Sequence, residues 1–177
     1  YMSKINVVNA SFVYNIKDPN CYNALDDVSF DIEEGDFIAI VGETGSGKST
    51  LVQTFNGILE PTKGYVKIND FIITQDKKLK KELLKNSSKD IKKKNKKLSL
   101  LRKEVGLVFQ FPEYQLFSET ILKDVMFGPK NFGMNEEDAK NAAIAALKSV
   151  GLDESYYEKS PFEISGGEKR RAAIAGI

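Results

Sequence analysis

The apolar run Phe37 to Val41 is bounded by Gly35 and Gly42 and leads without a break into Gly42-Glu43-Thr44-Gly45-Ser46-Gly47-Lys48-Ser49. Thr50 to Phe55 then follows with helical spacing, and Gly57 stands where such a helix would stop. A continuous apolar run of this length reads as a strand buried on both faces, which belongs to a parallel sheet covered by helices. Strand, G-x-x-x-x-G-K-S and helix in that order define a phosphate-binding loop. Its physics is direct. Glycines let successive backbone N–H groups curl round an anion, and the start of the helix adds positive potential. Lys48 would reach the β and γ oxygens of a nucleoside triphosphate. Ser49 would put its hydroxyl on Mg²⁺, a hard cation that takes oxygen ligands and keeps several waters.

Composition removes competing readings. The 177-residue chain has one cysteine, Cys21, and no histidine. An internal disulfide is therefore impossible, and so is any imidazole base, ligand or sensor within these residues. The lone cysteine favours a cytosolic address. No apolar run approaches the roughly 18 to 20 residues that span a bilayer, and no signal-peptide pattern opens the chain. Tyr1 ahead of Met2 reads as an added residue and is left out of the fold reasoning.

Charge is concentrated. The whole chain carries +1, yet Asp76 to Lys97 holds eleven lysines against Asp76, Glu82 and Asp90, so it is +8 and everything else −7. Leu79, Leu83 and Leu84 recur at helical spacing and predict a short amphipathic helix breaking at Asn86, Ser87 and Ser88. The plain reading is a solvated, partly disordered insertion. The sharper one is attraction to an acidic membrane surface or partner. Nucleic-acid binding is the third reading, weakened because no aromatic residue between Asp76 and Lys97 is available to stack on bases.

Elsewhere, Ile5 and Val7, then Val28, Phe30 and Ile32, alternate with polar residues as half-buried antiparallel strands do. Tyr65 to Ile68, Asn69-Asp70 and Phe71 to Ile73 predict a hairpin. Val105 to Phe109 reads as a second buried strand. Asn135 to Val150 reads as a helix capped by Asn135, with acids in its first turn and Gly151 after its end. Ser165-Gly166-Gly167-Glu168 opens a further helix, and two readings stay open. Ser165 and Glu168 at this spacing make a capping box. The two first-turn glycines, each costing up to about 1 kcal/mol against alanine, suit instead the close approach of a phosphate to bare amides.

Three motifs in order, Gly42 to Thr50, Val108-Phe109-Gln110 and Ile164 to Glu168, resemble those of ABC transporter ATP-binding subunits. The strings Phe109 to Phe117 and Phe127 to Gly133 are similar to the energy-coupling factor type, and most like the second of its two ATPase paralogues. The resemblance covers the chain except for the lysine segment. It implies an α/β P-loop core of ABC ATPase type with an N-terminal antiparallel β subdomain and a helical subdomain. The boundaries it implies are a truncated ATP-binding domain at 2–177, a Lys-rich insertion at 74–99 and the helical subdomain at 111–161.

By the same resemblance Tyr14, with Tyr22 as the competing candidate, stacks on adenine. Gly42, Glu43, Thr44, Gly45, Ser46, Gly47, Lys48, Ser49 and Thr50 hold the phosphates, and Ser49 and Gln110 attend Mg²⁺. Ser165, Gly166, Gly167 and Glu168 contact, in trans, ATP bound by a second ATP-binding subunit, a paralogue in a heterodimer. The implied function is coupling ATP binding and hydrolysis to uptake of a vitamin or metal ion. The other partners implied are a transmembrane coupling subunit and a substrate-binding membrane subunit at the cytoplasmic face of the membrane, with no nucleic acid. The alternative is a soluble ABC-type ATPase acting on nucleic acid or translation. Two departures matter. Glu168 stands where the family usually has glutamine, a repulsive neighbour for a triphosphate unless Lys169 or Arg170 compensates. The chain also ends at Ile177, ahead of the family's acidic strand with its magnesium-ligand aspartate and general-base glutamate, so no catalytic residue is expected within it and hydrolysis is expected to be very poor.

Overall fold

The computed structural model describes residues 4–177, so Tyr1 lies outside the described residues. The chain forms two compact units, one running to Val105 and the other spanning Gly106–Ile177.

In the first unit the alternating segments become β1 (Ile5–Tyr14) and β2 (Tyr22–Ile32), paired antiparallel with Val7 opposite Phe30. The hairpin becomes β3 (Lys63–Ile68) and β4 (Phe71–Ile73), giving a four-stranded sheet in the order β2-β1-β3-β4 with every pairing antiparallel. Its inner face presents Val7, Ala10, Phe12, Leu25, Val66, Ile68, Phe71 and Ile73. Leu51 of α1 (Lys48–Phe55) packs onto that face, as does Leu101. Each such side chain, fully buried, stabilises by about 1.5–3 kcal/mol. The helix is thereby pinned by its apolar side, leaving its N-terminus free to present backbone N–H groups.

Two expectations fail here. Phe37 to Val41 and Val105 to Phe109 are not strands. Phe37 is 98% and Val41 87% exposed, and Val108 and Phe109 are exposed as well. The apolar pattern records a preference for burial, but a strand exists only with a neighbour for its ladder. The sheet among the described residues offers none to either run.

The lysine segment also differs from a partly disordered loop. It folds as α2 (Lys77–Leu83) and α3 (Lys89–Lys94), with the break falling at the predicted Asn86 to Ser88. Asp76 caps α2 by accepting from the amides of Lys78 and Leu79 at 2.9 and 3.0 Å, and Ser88 caps α3. Buried Asn95 then ties the segment to the sheet. Its Oδ1 accepts from the Ile72 amide at 2.8 Å, and its Nδ2 donates to the carbonyl oxygens of Asp70 and Ile91.

The second unit is helical. α4 (Ile121–Asn131), α5 (Glu136–Ser149) and α6 (Gly166–Ala175) enclose Ile121, Val125, Ala139, Ala143, Leu147 and Ala172. Asn135 caps α5 as predicted, accepting from the Asp138 amide at 2.8 Å. Buried Asp124 accepts from the amides of Phe117 and Ser118 at 2.9 and 2.7 Å, which fixes the loop entering α4.

Candidate functional site

The glycine loop sits at the N-terminus of α1. Gly45 and Gly47 adopt φ of +85° and +87°, the left-handed region that only glycine enters without strain. Gly47 is further constrained, because a Cβ there would lie 2.3 Å from the carbonyl oxygen of Ala24. The loop therefore lies against β2 in a way no other residue permits. Gly47 is also the N-cap of α1, so no side chain satisfies the first amides of the helix, and no acidic residue stands in its first turn. Unfilled donors together with the helix dipole favour negative charge at this end.

Lys48 crosses this loop. Its Nζ donates to the carbonyl oxygens of Gly42 and Glu43 at 2.8 and 2.6 Å, and to Ser46 Oγ at 3.4 Å. The ammonium is thus held over the curl of the loop rather than extended into water. Ser49 is exposed on the first turn of α1, whereas Thr50 is buried, with its hydroxyl 3.2 Å from that of Tyr14. Both tyrosines named from the sequence flank the loop. Tyr14 is 36% exposed, set edge-on against Phe12, and tied to α1 through Thr50. Tyr22 is 53% exposed and donates to the Gly45 carbonyl at 2.8 Å.

In the second unit, Gln110 is exposed just ahead of the turn Pro112–Gln115. Ser165 and Glu168 form the capping box that the sequence predicts. Ser165 Oγ accepts from the Glu168 amide at 3.4 Å, and Glu168 Oε2 accepts from the Ser165 amide at 2.7 Å. Gly166 and Gly167 adjoin it in open space, where an added Cβ would meet nothing within 4 Å. Their small size therefore answers no packing demand within the chain.

The two cations next to Glu168 in sequence do not compensate its charge. Neither Lys169 nor Arg170 pairs with it; the Tyr156 hydroxyl donates to Glu168 Oε1 at 2.7 Å, and Lys169 lies over the Phe162 ring instead. Tyr156, followed by the Ser165 hydroxyl and amide, holds the Glu168 carboxyl down at about 2, with Arg171 adding a smaller attraction. The same bond raises the Tyr156 phenol above its ordinary value. Sequence reasoning missed Tyr156 because its partner is twelve residues away across a chain reversal, and no local pattern joins them.

Among the described residues no group of three or more histidine, cysteine, aspartate or glutamate side chains could hold a metal, and no helix is long and apolar enough to cross a membrane.

The family model described as ABC transporter matches residues 25–177. The energy-coupling factor transporter ATP-binding protein EcfA2 of Caldanaerobacter subterraneus subsp. tengcongensis is 50% identical over 173 residues, covering 98% of this chain and 54% of that protein. The protein of the same name from Clostridioides difficile is 49% identical over 97% of this chain and 54% of its own length. The chain thus spans about half the length of the curated relatives it matches. Among solved structures, a dimeric post-hydrolysis state of the ATP-binding cassette MJ0796 bound to ADP and Pi aligns with a TM-score of 0.73 at 27% identity, covering 97% of this chain and 68% of that one. Clostridium perfringens cbiO1, part of the ABC transporter complex cbiONQ, aligns with a TM-score of 0.70 at 32% identity, covering 97% and 59%. Sequence motifs, family model and solved cassettes agree on one placement, the α/β fold of ATP-binding cassettes: this chain belongs to the ABC transporter family.

Proposed function

We propose that the chain is the nucleotide-holding portion of an ATP-binding subunit in an energy-coupling factor type importer, which couples ATP binding and hydrolysis to uptake of a vitamin or metal ion. The observation that carries this reading is Lys48, held by two loop carbonyls above the uncapped N-terminus of α1. That arrangement fits a triphosphate. Backbone amides of the loop would cradle the β-phosphate, and Lys48 would exchange its carbonyl partners for β and γ oxygens. Tyr14 would take the adenine face, with its hydroxyl fixed to Thr50. Tyr22 remains the competitor, being more exposed on the other side of the loop.

The donor set also fits Mg²⁺ held in the manner usual for nucleotides, by one protein hydroxyl together with phosphate oxygens and water. Ser49 would supply that hydroxyl, and Gln110 would attend the metal and the attacking water. The ion would neutralise charge developing on the γ-phosphoryl group. Hydrolysis needs in addition a general base to activate the attacking water, a role we assign to no residue here, so binding of ATP with little turnover is expected.

Gly166 and Gly167 would present their amides to the γ-phosphate of ATP held by a second ATP-binding subunit. Glu168 does not forbid this. Both of its oxygens are engaged by Tyr156 and the Ser165 amide, which draws the carboxylate back onto its own helix. The dimeric form of the MJ0796 cassette supports pairing of this kind. Phe37 to Val41 and Val105 to Phe109 would enter the parallel sheet of the whole subunit, where neighbouring strands bury them.

A membrane partner is supported by the apolar surface of the second unit. Phe111, Tyr114 and Phe117 are exposed, Tyr114 at 83%, and Phe117 packs edge-on with exposed Phe127 beside a cleft of about 240 Å³. A coupling subunit would seat there, holding the protein at the cytoplasmic face as a peripheral subunit. Nothing favours the nucleic-acid alternative. Co-purification of the whole subunit with membrane proteins, lost on Phe117→Asp, would support the transport reading, and a whole subunit that stays free of membranes would overturn it.

A further inference from the structure

The lysine segment lines a cleft apart from the glycine loop. Lys77 and Lys80 lie one helical turn apart on α2, and Lys96 lies just beyond α3. All three line one cleft of about 900 Å³. Phe12, Ile58 and Leu59 form its apolar wall, and Glu60 is the only carboxylate in its lining. None of the three lysines is in a salt bridge among the described residues, although Lys94 of the same segment is paired with Glu104 at 2.8 Å and reaches Asp70 at 3.8 Å. The segment thus neutralises one lysine and gathers three others around a cavity.

Withdrawing an ammonium from water costs free energy, and an anion beside it offsets that cost. Lys80 is half-buried, and burial lowers its ammonium below the usual lysine range despite the opposing pull of Glu60. An anion in the cleft would recover that cost. Asn95, Gln75 and Thr74 also line it, but their side chains are spent on backbone groups: Asn95 on Ile72, Asp70 and Ile91, Gln75 on the Glu60 carbonyl, and Thr74 on the Gly64 carbonyl. They fix the walls, so recognition falls to the lysines. Three ammonium groups against one carboxylate call for a ligand with at least two negative charges. The apolar wall suits one that carries carbon next to its phosphate.

We propose that Lys77, Lys80 and Lys96 form a second anion site, distinct from the glycine loop, that binds a multivalent phosphate-bearing ligand. Its source is either an acidic phospholipid headgroup or a soluble phosphoester. The proposal is independent of nucleotide binding at Lys48, and would stand if that reading failed.

The test uses the full chain carrying Lys48→Ala, which removes the lysine of the glycine loop, and the same chain carrying Lys77→Gln, Lys80→Gln and Lys96→Gln in addition. Calorimetry with sodium tripolyphosphate is run beside flotation with phosphatidylcholine vesicles containing about one-third cardiolipin, whose headgroup carries two phosphates. Binding of either probe should be present in Lys48→Ala and weaken at least about tenfold when the three lysine substitutions are added to it. Tripolyphosphate binding would assign a soluble ligand, and vesicle binding alone a headgroup. Glu60→Gln, which removes the opposing charge, should strengthen binding by about two- to threefold. The proposal is overturned if neither probe binds Lys48→Ala, if adding the three lysine substitutions leaves binding unchanged, or if a DNA duplex alone shows the dependence on these lysines.

Discussion

Two helices in this chain, α1 and α6, begin differently. α1 starts on Gly47, with no side-chain cap, no acid in its first turn and a lysine folded across the opening. α6 starts on Ser165, whose hydroxyl and partner Glu168 close a full capping box. The first end leaves its backbone donors unused and adds a cation. The second satisfies part of its donors internally, and supplies its own negative charge. A bare helix start costs stability, commonly about 1 kcal/mol relative to a capped one, and a fold keeps that cost where a ligand repays it. A capped start is stable alone, and only the amides that the cap leaves open, here those of Gly166 and Gly167, stay available.

The largest effect that would break this comparison is at Gly47. Substitution by alanine puts a Cβ against the Ala24 carbonyl at a positive φ, so the loop cannot keep its place against β2. Urea unfolding should show a loss of about 2–4 kcal/mol in the first unit, and nucleotide binding should vanish with it. Gly45→Ala sharpens the point. Its φ is equally positive but no atom lies within 4 Å of the added Cβ, so it should cost only about 1–2 kcal/mol. Equal losses at the two positions would remove the packing argument.

At the other helix, Ser165→Ala should destabilise the second unit by about 1 kcal/mol in the same measurement. Smaller still is the effect of Tyr156→Phe. Without the phenol, the Glu168 carboxyl should rise from about 2 toward its ordinary value, as followed by NMR titration of its side-chain carbonyl. The folded value is depressed, so the stabilisation it reports is complete above the ordinary carboxylate value near 4.5 and disappears as pH falls through about 2. In Tyr156→Phe that acid-dependent loss should be smaller in amplitude and confined closer to pH 4.5.

The two sites also show what a sequence can reveal. Gly42 to Ser49 and Ser165 to Glu168 were legible because their geometry is local: glycine φ values and capping distances depend on residues within one turn. The antiparallel strands, the hairpin and α5 were legible for the same reason, since period-two and period-3.6 patterns are written in consecutive residues. The Tyr156 bond to Glu168 was not, because it joins segments that only folding brings together. Nor was the anchoring of the lysine segment through Asn95, a single buried amide among charged neighbours. Phe37 to Val41 illustrates the opposite error. The pattern correctly marked an apolar segment, but pairing is decided by what lies alongside, and the described sheet places nothing there.

The central claim is that the loop carrying Lys48 binds the polyphosphate of a nucleotide, and calorimetry of the chain with MgATP tests it most directly. The account predicts heat of binding at micromolar nucleotide, weakened at least about tenfold in Lys48→Ala, which retains the parent's fold, as expected for losing a charge-assisted contact to phosphate. Absence of heat from the folded parent chain, or an unchanged isotherm in Lys48→Ala, would contradict it.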